Sequence, residues 1–245
     1  MLHRIKQIYG NKLIASDGEI GFVKDLYFND KSWAVRYLVV DTGTWLADRQ
    51  VLLAPHAFGH LHLAGSYLLA TLTRKQIEDS PSIETHKPVS RQYEEEYYQY
   101  YGWPNYWQGD GLWGMNNYPL AQPSGNSLPT KTEVAKQSKN GAADAHLRST
   151  QAVKGYQIQA SDGLIGHITD FMIDTRSWAI HQLVVRIGHR FTGKEVLIPT
   201  NMVSLISYEE STVLVNLTTD AIERSPAAEP HQAEGNDNTQ PALAL

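Results

Sequence analysis

The sequence predicts a mainly β protein made of two small β-barrels, each with a short C-terminal helix, joined by an aromatic-rich linker that contains a short helix. The first observation is a repeated phrase, because ASDGEIG at residues 15–21 returns as ASDGLIG at residues 160–166. The second is its extent, since residues 15–81 align with residues 160–226 without a gap and with about two dozen identities. The third is the local pattern, in which short runs rich in β-branched and aromatic residues alternate with turn signals.

Each element of the first copy has its own signal. Asp17-Gly18 favours a hairpin turn, and IGFVKDLYF after it alternates as a strand with one irregularity that suits a bulge. WAVRYLVVD and RQVLLAP predict the next two strands, followed by short strands at about residues 60–63 and 67–71. Thr73 and Gln76 form a capping box before a short helix that ends at Ser80-Pro81. Thr218 supplies the cap without the box in the second copy. Five or six short strands and a terminal helix therefore form a closed or nearly closed barrel.

Domain boundaries follow from the repeat. The first barrel is predicted over residues 1–81, the linker over 82–150, the second barrel over 151–226 and a disordered tail over 227–245. Within the linker, residues 93–118 hold about ten of the 24 aromatic residues of the chain. Tyr93, Tyr97 and Tyr100 or Tyr101 share one face of a short helix, which Gly102 and Pro104 end. Residues 121–150 are polar, small and predicted to be mobile.

Composition excludes several classes of function. The chain of 245 residues is 42% hydrophobic and carries a net charge of -5, so no broad basic field favours nucleic acid or an anionic membrane surface. It has no cysteine, which excludes disulfides and thiolate metal sites and fits a reducing compartment. No leader peptide and no run of about 18 apolar residues is present, so we expect a cytoplasmic protein without a transmembrane segment.

The order of these signals resembles the PRC-barrel family. In the first copy the resemblance is carried by Asp17, Gly18, Ile20, Gly21, Asp25, Trp33, residues 37–43, Trp45 and residues 51–55. In the second it is carried by Asp162, Gly163, Ile165, Gly166, Asp170, Trp178, residues 183–185, Gly188 and residues 196–199. The resemblance implies a small barrel like that of the cytoplasmic part of the photosynthetic reaction-centre H subunit or of the ribosome maturation factor RimM. In those proteins the barrel is a docking surface for other macromolecules.

The leading hypothesis is a non-catalytic interaction or scaffold protein with an unidentified protein partner, and self-association is a further option. The candidate interaction residues lie where the copies differ and in the linker: Asp41, Thr44, Trp45, Arg186, Arg190, Tyr97, Tyr101, Trp103, Tyr106, Trp107 and Trp113. The loop after the Trp-led strand is acidic and aromatic in the first copy and basic in the second. Three explanations stay open: the loop drifted freely after duplication, the two loops bind different partners, or Asp41 contacts Arg186 between the barrels. The linker aromatics either cover barrel surface and join the copies or form a partner-binding patch.

Other candidates have structural and functional interpretations. Asp25 and Asp170 are either general bases or carboxylates that accept backbone donors at a bulge. Trp33 and Trp178 are predicted to pack in the barrel cores. Gly21 and Gly166 are predicted to allow a bulge or a close approach of two backbone segments. His56, His60 and His62 would suit a metal ion, but the second copy has Asn201, Leu205 and Ser207 there.

No nucleophile or phosphate-loop motif is found, so neither catalysis nor a cofactor is expected. Two alternatives stay open. One is an enzyme or small-ligand-binding protein with a site between the barrels, and the other is a peripheral component of a membrane-associated electron-transfer complex.

Overall fold

The computed structural model describes residues 1–46, 49–58, 67–81, 89, 91–120, 147–188 and 193–228. Within these ranges the protein is mainly β, as predicted, and consists of two sheets with few short helices. The strands are β1 (Leu2–Arg4), β2 (Lys12–Ala15), β3 (Gly18–Asn29), β4 (Val35–Asp41), β5 (Gln50–Leu53), β6 (Tyr67–Leu69), β7 (Leu147–Ser149), β8 (Gln157–Ala160), β9 (Gly163–Asp174), β10 (Ala179–Ile187), β11 (Lys194–Pro199), β12 (Val203–Ser207) and β13 (Thr212–Val215). The helices are α1 (Arg74–Glu78), α2 (Arg91–Tyr101), α3 (Thr150–Val153) and α4 (Thr219–Glu223).

The two sheets share one strand order over five strands, and the second sheet continues to a sixth, β12. The first runs β5-β4-β3-β2-β6 and the second β11-β10-β9-β8-β13-β12, with antiparallel pairing except between β2 and β6 and between β8 and β13. Each sheet also receives one strand from elsewhere in the chain, because β7 pairs with β3 and β1 pairs with β9. The prediction of two similar barrels is therefore compatible with the observed topology.

The longest strand of each sheet, β3 or β9, carries the predicted irregularity. The register between β3 and β4 shifts between Val23 and Asp25, and the register between β9 and β10 shifts at the equivalent place, beside Asp170. An extra residue in one strand bends it and increases its twist. The bulge lets one strand of 12 residues pair with neighbours at both of its ends.

The repeated Asp-Gly turn fastens a helix to the start of each long strand. Asp17 Oδ1 accepts a hydrogen bond of 2.7 Å from the backbone N of Arg74, and Asp162 Oδ1 accepts one of 2.8 Å from Thr219 N. These donors belong to the first residue of α1 and of α4, whose free N–H groups need acceptors. The predicted capping box of α1 is also confirmed, since the Thr73 side chain and the Gln76 side chain each accept from the other's backbone.

Three predictions on the connecting segments have different outcomes. The linker helix is confirmed as α2, and it ends where Gly102 takes a φ of +69°. Residues 147–150, which were included in the segment predicted to be mobile, instead form β7 and begin α3. Backbone pairing with β3 fixes this polar stretch, and its side chains gave no strand signal. The predicted strand at residues 60–63 and the segment 121–146 lie outside the described residues.

The apolar core is continuous across both sheets. Phe28 of β3 lies 5.9 Å from Phe171 of β9, measured between ring centroids, and Phe58 lies 5.8 Å from Trp178. Trp33 stacks on Phe28 at 5.3 Å. The two tryptophans are buried, which confirms the core assignment, and both lie at the junction of the two sheets.

Candidate functional site

An open groove lies at the end of the first barrel, where β3 meets the loop after β4. Its volume is about 380 Å³. The lining residues come from the start of β3, from the loop and from α1: Glu19, Ile20, Gly21, Phe22, Asp41, Thr42, Gly43, Thr44, Trp45 and Arg74. The groove therefore contains Asp41, Thr44 and Trp45, three residues that the sequence predicted as interaction candidates.

The floor of the groove depends on the absence of a side chain at Gly21. A Cβ built at this position would lie 1.9 Å from the carbonyl oxygen of Asp41, far inside van der Waals contact. Gly166 approaches Arg186 in the same way, with a distance of 2.2 Å from the ideal Cβ to the carbonyl oxygen. Both glycines serve close backbone contact, as predicted, and at Gly21 this contact brings the loop against β3.

The groove exposes aromatic surface. The Phe22 side chain is 48% exposed, and Trp45 is half-buried. The guanidinium of Arg74 lies 4.4 Å above the Trp45 ring, so a cation–π contact holds this ring in place. Asp41 Oδ1 accepts from Gly43 N at 3.0 Å, which fixes the turn of the loop. An apolar surface beside carboxylates, positioned in advance by its own contacts, suits recognition of another molecule.

The same end of the second barrel has a different surface. Leu164 replaces Glu19, His167 replaces Phe22 and Arg186 replaces Asp41. Arg186 donates to Glu195 at 3.1 Å within its own sheet. In the part of the chain that the structure describes, no ion pair joins Asp41 to Arg186, and the Asp41 carboxylate bonds the backbone of Gly43 instead. Arg190 lies outside the described residues.

The linker aromatics fold onto the first barrel as a cover, which we define as residues 91–118. Tyr97, Trp103, Tyr106 and Trp113 are buried, whereas Tyr101 and Trp107 are half-buried. The cover also reaches the second barrel, because Trp113 Nε1 donates to the carbonyl oxygen of Ser177 at 2.8 Å. These contacts are those of an intramolecular cover that joins the two copies. A role of the same residues in partner binding stays a prediction.

Two charged side chains are buried where the cover meets the first barrel, the carboxylate of Glu94 in α2 and the guanidinium of Arg36 in β4. Glu94 is fully buried, and its Oε1 accepts from the hydroxyls of Tyr37 at 2.9 Å and Tyr106 at 2.8 Å. The Arg36 guanidinium lies 3.7 Å from the centre of the Tyr106 ring and donates to Leu112 O at 2.8 Å. Burial raises the pKa of Tyr37 well above 10, so its hydroxyl remains a donor at neutral pH. The sequence did not predict this cluster, although Glu94 lies on the same helix as the predicted tyrosine face.

His56 also lies beneath the cover, among aromatic rings. Its ring stacks on Trp103 at 5.4 Å and meets Trp113 edge to face at 5.1 Å, and its Nδ1 has no hydrogen-bond partner. Burial, with a smaller contribution from the positive charge of Arg36, lowers the pKa of His56 to about 4. His60 and His62 lie outside the described residues. The environment of His56 is that of a neutral core residue.

Replacing His56 with phenylalanine is expected to reduce the loss of stability in acid. Between pH 6.5 and 4 the unfolded imidazole binds a proton and the folded one does not, so the free energy of unfolding falls as the pH falls through this window. The full effect is about 3 kcal/mol. Urea unfolding at pH 7 and pH 4.5 measures it. His181→Gln, at an exposed position, should retain the wild-type pH dependence, and an unchanged slope in His56→Phe would contradict the assignment.

Asp25 and Asp170 accept backbone donors beside the bulges, as the structural interpretation predicted. Asp25 Oδ1 accepts from Leu26 N at 2.7 Å and from Gln151 N at 3.2 Å. Asp170 Oδ1 accepts from Phe171 N at 2.9 Å and from Lys6 N at 3.2 Å. Each carboxylate thus bonds its own strand and the other half of the chain.

A larger open cavity, about 630 Å³, lies beside β1 and β10. Its carboxylate, Asp174, accepts from the amino group of Met1 at 2.9 Å. Among the described residues, no three histidine or carboxylate side chains are grouped as they would be around a metal ion. Likewise, no helix in the described ranges has the length and hydrophobicity to cross a membrane. The larger cavity contains none of the predicted interaction residues and the groove of the first barrel contains three, so the groove is the candidate site.

The fold is that of a protein with two small β-barrels that share one apolar core, and the candidate site is formed by a loop at the end of one barrel. Residues 151–222 match the family model of the PRC-barrel domain. This part of the chain is therefore similar to the PRC-barrel domain, a general domain that is often found in protein-interaction contexts. A search of curated proteins gave no match. That residues 1–81 are a second PRC-barrel, produced by duplication, stays a prediction that rests on the repeat and on the shared strand order.

Proposed function

We propose that this chain is a non-catalytic, cytoplasmic protein-interaction module that binds a partner protein in the groove of the first barrel. The observation that carries the proposal is the groove itself, in which Phe22 is 48% exposed and Trp45 is held by Arg74. Aromatic residues dominate the binding energy of protein interfaces, because a rigid ring buries much area at little entropic cost.

The chemistry of the groove defines the partner. Asp41 and Glu19 flank the aromatic side chains, and Lys12 already pairs with Glu19 at 3.0 Å. The partner segment should therefore present an apolar side chain next to a basic one. The second barrel lacks this combination, since His167 stands at the position of Phe22. Binding is expected at one end of the molecule only.

The enzyme alternative has less support. Asp25 and Asp170, its candidate bases, are engaged with backbone donors, and Asp170 is buried. Two further charged side chains, Glu94 and Arg36, are buried among tyrosine and tryptophan rings. A catalytic group must reach its substrate in a cleft, and these groups lie in the core.

Substitution of the two groove aromatics tests the proposal. The double variant Phe22→Ser with Trp45→Ala is expected to weaken partner binding by at least about tenfold, because the partner would lose the apolar surface that it buries against the two rings. The measurement is affinity capture from an extract of the source cells with immobilised protein. The matched control is His167→Ser, at the equivalent position of the second barrel. Capture of the same proteins in the same amounts by all three forms would contradict the proposal.

A further inference from the structure

The two halves of the chain, residues 1–120 and 147–228, exchange their first strands. Strand β1 of the first half pairs with β9 of the second, so that Leu2 lies opposite Asp174 and Arg4 opposite Met172. Strand β7 of the second half pairs with β3 of the first, so that Leu147 lies opposite Asn29. The two pairings use equivalent residues, because adding 145 to the numbers of β1 gives those of β7, and adding 145 to the paired residues of β3 gives those of β9. Each sheet is therefore completed by a strand of the other half.

The contacts at the centre of the junction follow the same two-fold pattern. Val35 N donates to Trp178 O at 2.8 Å, and Ile180 N donates to Trp33 O at 2.8 Å. Ala34 pairs with Ala179, its own equivalent. Trp33 and Trp178 both take a left-handed backbone, with φ of 57° and 59°. A residue that contacts its own equivalent lies on a two-fold axis, which is the mark of an isologous interface between two like subunits.

The aspartates beside the bulges complete the pattern. Lys6 N donates a hydrogen bond to Asp170 Oδ1, and Gln151 N donates one to Asp25 Oδ1. Each bond has a length of 3.2 Å. Because both donors are backbone N–H groups, any residue type except proline can form this bond. The retention of Asp25 and Asp170 in both halves is thus explained by a contact between halves.

We propose that this junction is a self-recognition surface whose partner is the other half of the same chain, and that the halves bind each other without a covalent connection. The exchanged strands, the self-paired centre and the continuous core supply the binding contacts in both directions. The protein is thus a tethered dimer of like units. The connection between residues 120 and 147 raises the local concentration of the halves and is dispensable for their association.

Two ion pairs direct the first half to the second. Arg4 donates to Glu195 at 2.8 Å, and Arg148 pairs with Asp30 at 2.6 Å. Two first halves would place Arg4 beside Gln50, and two second halves would place Ser149 beside Glu195. A pair of like halves therefore loses the bond of Arg4 to Glu195, whose side chains are 7% and 20% exposed. Charge complementarity of this kind selects between similar partners.

The test uses the full chain with a site-specific protease sequence inserted between residues 121 and 146, cut after folding. We expect the two fragments to remain one particle with the mass of the uncut protein in size-exclusion chromatography with light scattering at micromolar concentration. Separation of the fragments under these conditions would overturn the proposal.

Charge reversal tests the direction of pairing on the same cut protein. R4E and E195R are each expected to raise the dissociation constant of the fragments by at least about tenfold, because R4E places two carboxylates together and E195R adds a third guanidinium beside those of Arg4 and Arg186. The double variant R4E/E195R should recover most of the loss. The control K12E reverses an exposed charge within the first sheet and should change the constant by less than about threefold. Equal effects of R4E and K12E, or no recovery in the double variant, would overturn the assignment of this pair.

Discussion

Gly21→Ala is expected to lower the free energy of unfolding by about 3 kcal/mol and to deform the groove. The new methyl group would collide with the Asp41 carbonyl oxygen, only 1.9 Å from the ideal Cβ position. Relief requires β3 and the end of β4 to move apart, which would displace Asp41 and the following loop that carries Trp45. The variant should therefore lose both stability and partner binding, measured by urea unfolding and by affinity capture.

The matched control is Gly163→Ala. Gly163 has nearly the same φ as Gly21, +157° against +155°, but apart from its chain neighbours no atom lies within 4 Å of its ideal Cβ position. Its substitution should cost about 1 kcal/mol of backbone strain and leave partner binding intact. If both variants lost the same stability, backbone strain rather than close contact would explain Gly21, and the account of the groove floor would be wrong.

Trp113→Ala is expected to cost about 3 to 5 kcal/mol of stability, the range for removal of a buried aromatic side chain. The Trp113 side chain is 1% exposed and packs edge to face on His56. Arg36 lies 4.7 Å above its ring, and its indole N–H bonds the second barrel through Ser177. One substitution thus removes packing beneath the cover and a contact between the halves.

Tyr118→Ala serves as the control for Trp113, because Tyr118 belongs to the same cover and is 51% exposed. Its substitution should change the free energy of unfolding by no more than about 0.5 kcal/mol. Urea unfolding followed by circular dichroism measures both variants. A loss below about 1 kcal/mol in Trp113→Ala would mean that the cover does not stabilise the barrels, and its aromatics would then be better explained as a partner-binding patch.

Local signals in the sequence predicted the elements of the fold well. The Asp17-Gly18 turn, the capping box of Thr73 and the tyrosine face of α2 each depend on residues within about four positions of one another. The bulge beside Asp25 was visible as a break in alternation. Such features are governed by backbone sterics and short-range hydrogen bonds, which a single stretch of sequence encodes.

The exchange of strands could not be predicted from the residues that form it. LHR and LRS, the sequences of β1 and β7, are too short and too polar to show any strand periodicity. Their pairing depends on the unpaired backbone of β3 and β9 far away in the chain. The repeat identified the two units, but the interface between them arises from long-range contacts.

The candidate site was predicted in part. The difference between the copies at residues 41–45 indicated the loop that lines the groove, whereas Phe22 and Arg74 were missed because they come from other elements. The aromatic composition of the linker predicted an ordered segment, but composition does not reveal which way a ring faces. Tyr97 faces the first barrel together with Glu94 of the same helix, because the Tyr97 hydroxyl bonds the backbone of Leu52 and Ala54 and Glu94 bonds Tyr37.

The most direct test of the interaction surface is site-specific photo-cross-linking. A photoreactive phenylalanine analogue would be placed at Phe22 in one sample and at His167, its equivalent in the second barrel, in the other. We expect a cross-link from position 22 to a partner protein and none from position 167. A partner cross-linked equally from both positions, or only from position 167, would contradict the placement of binding in the groove of the first barrel.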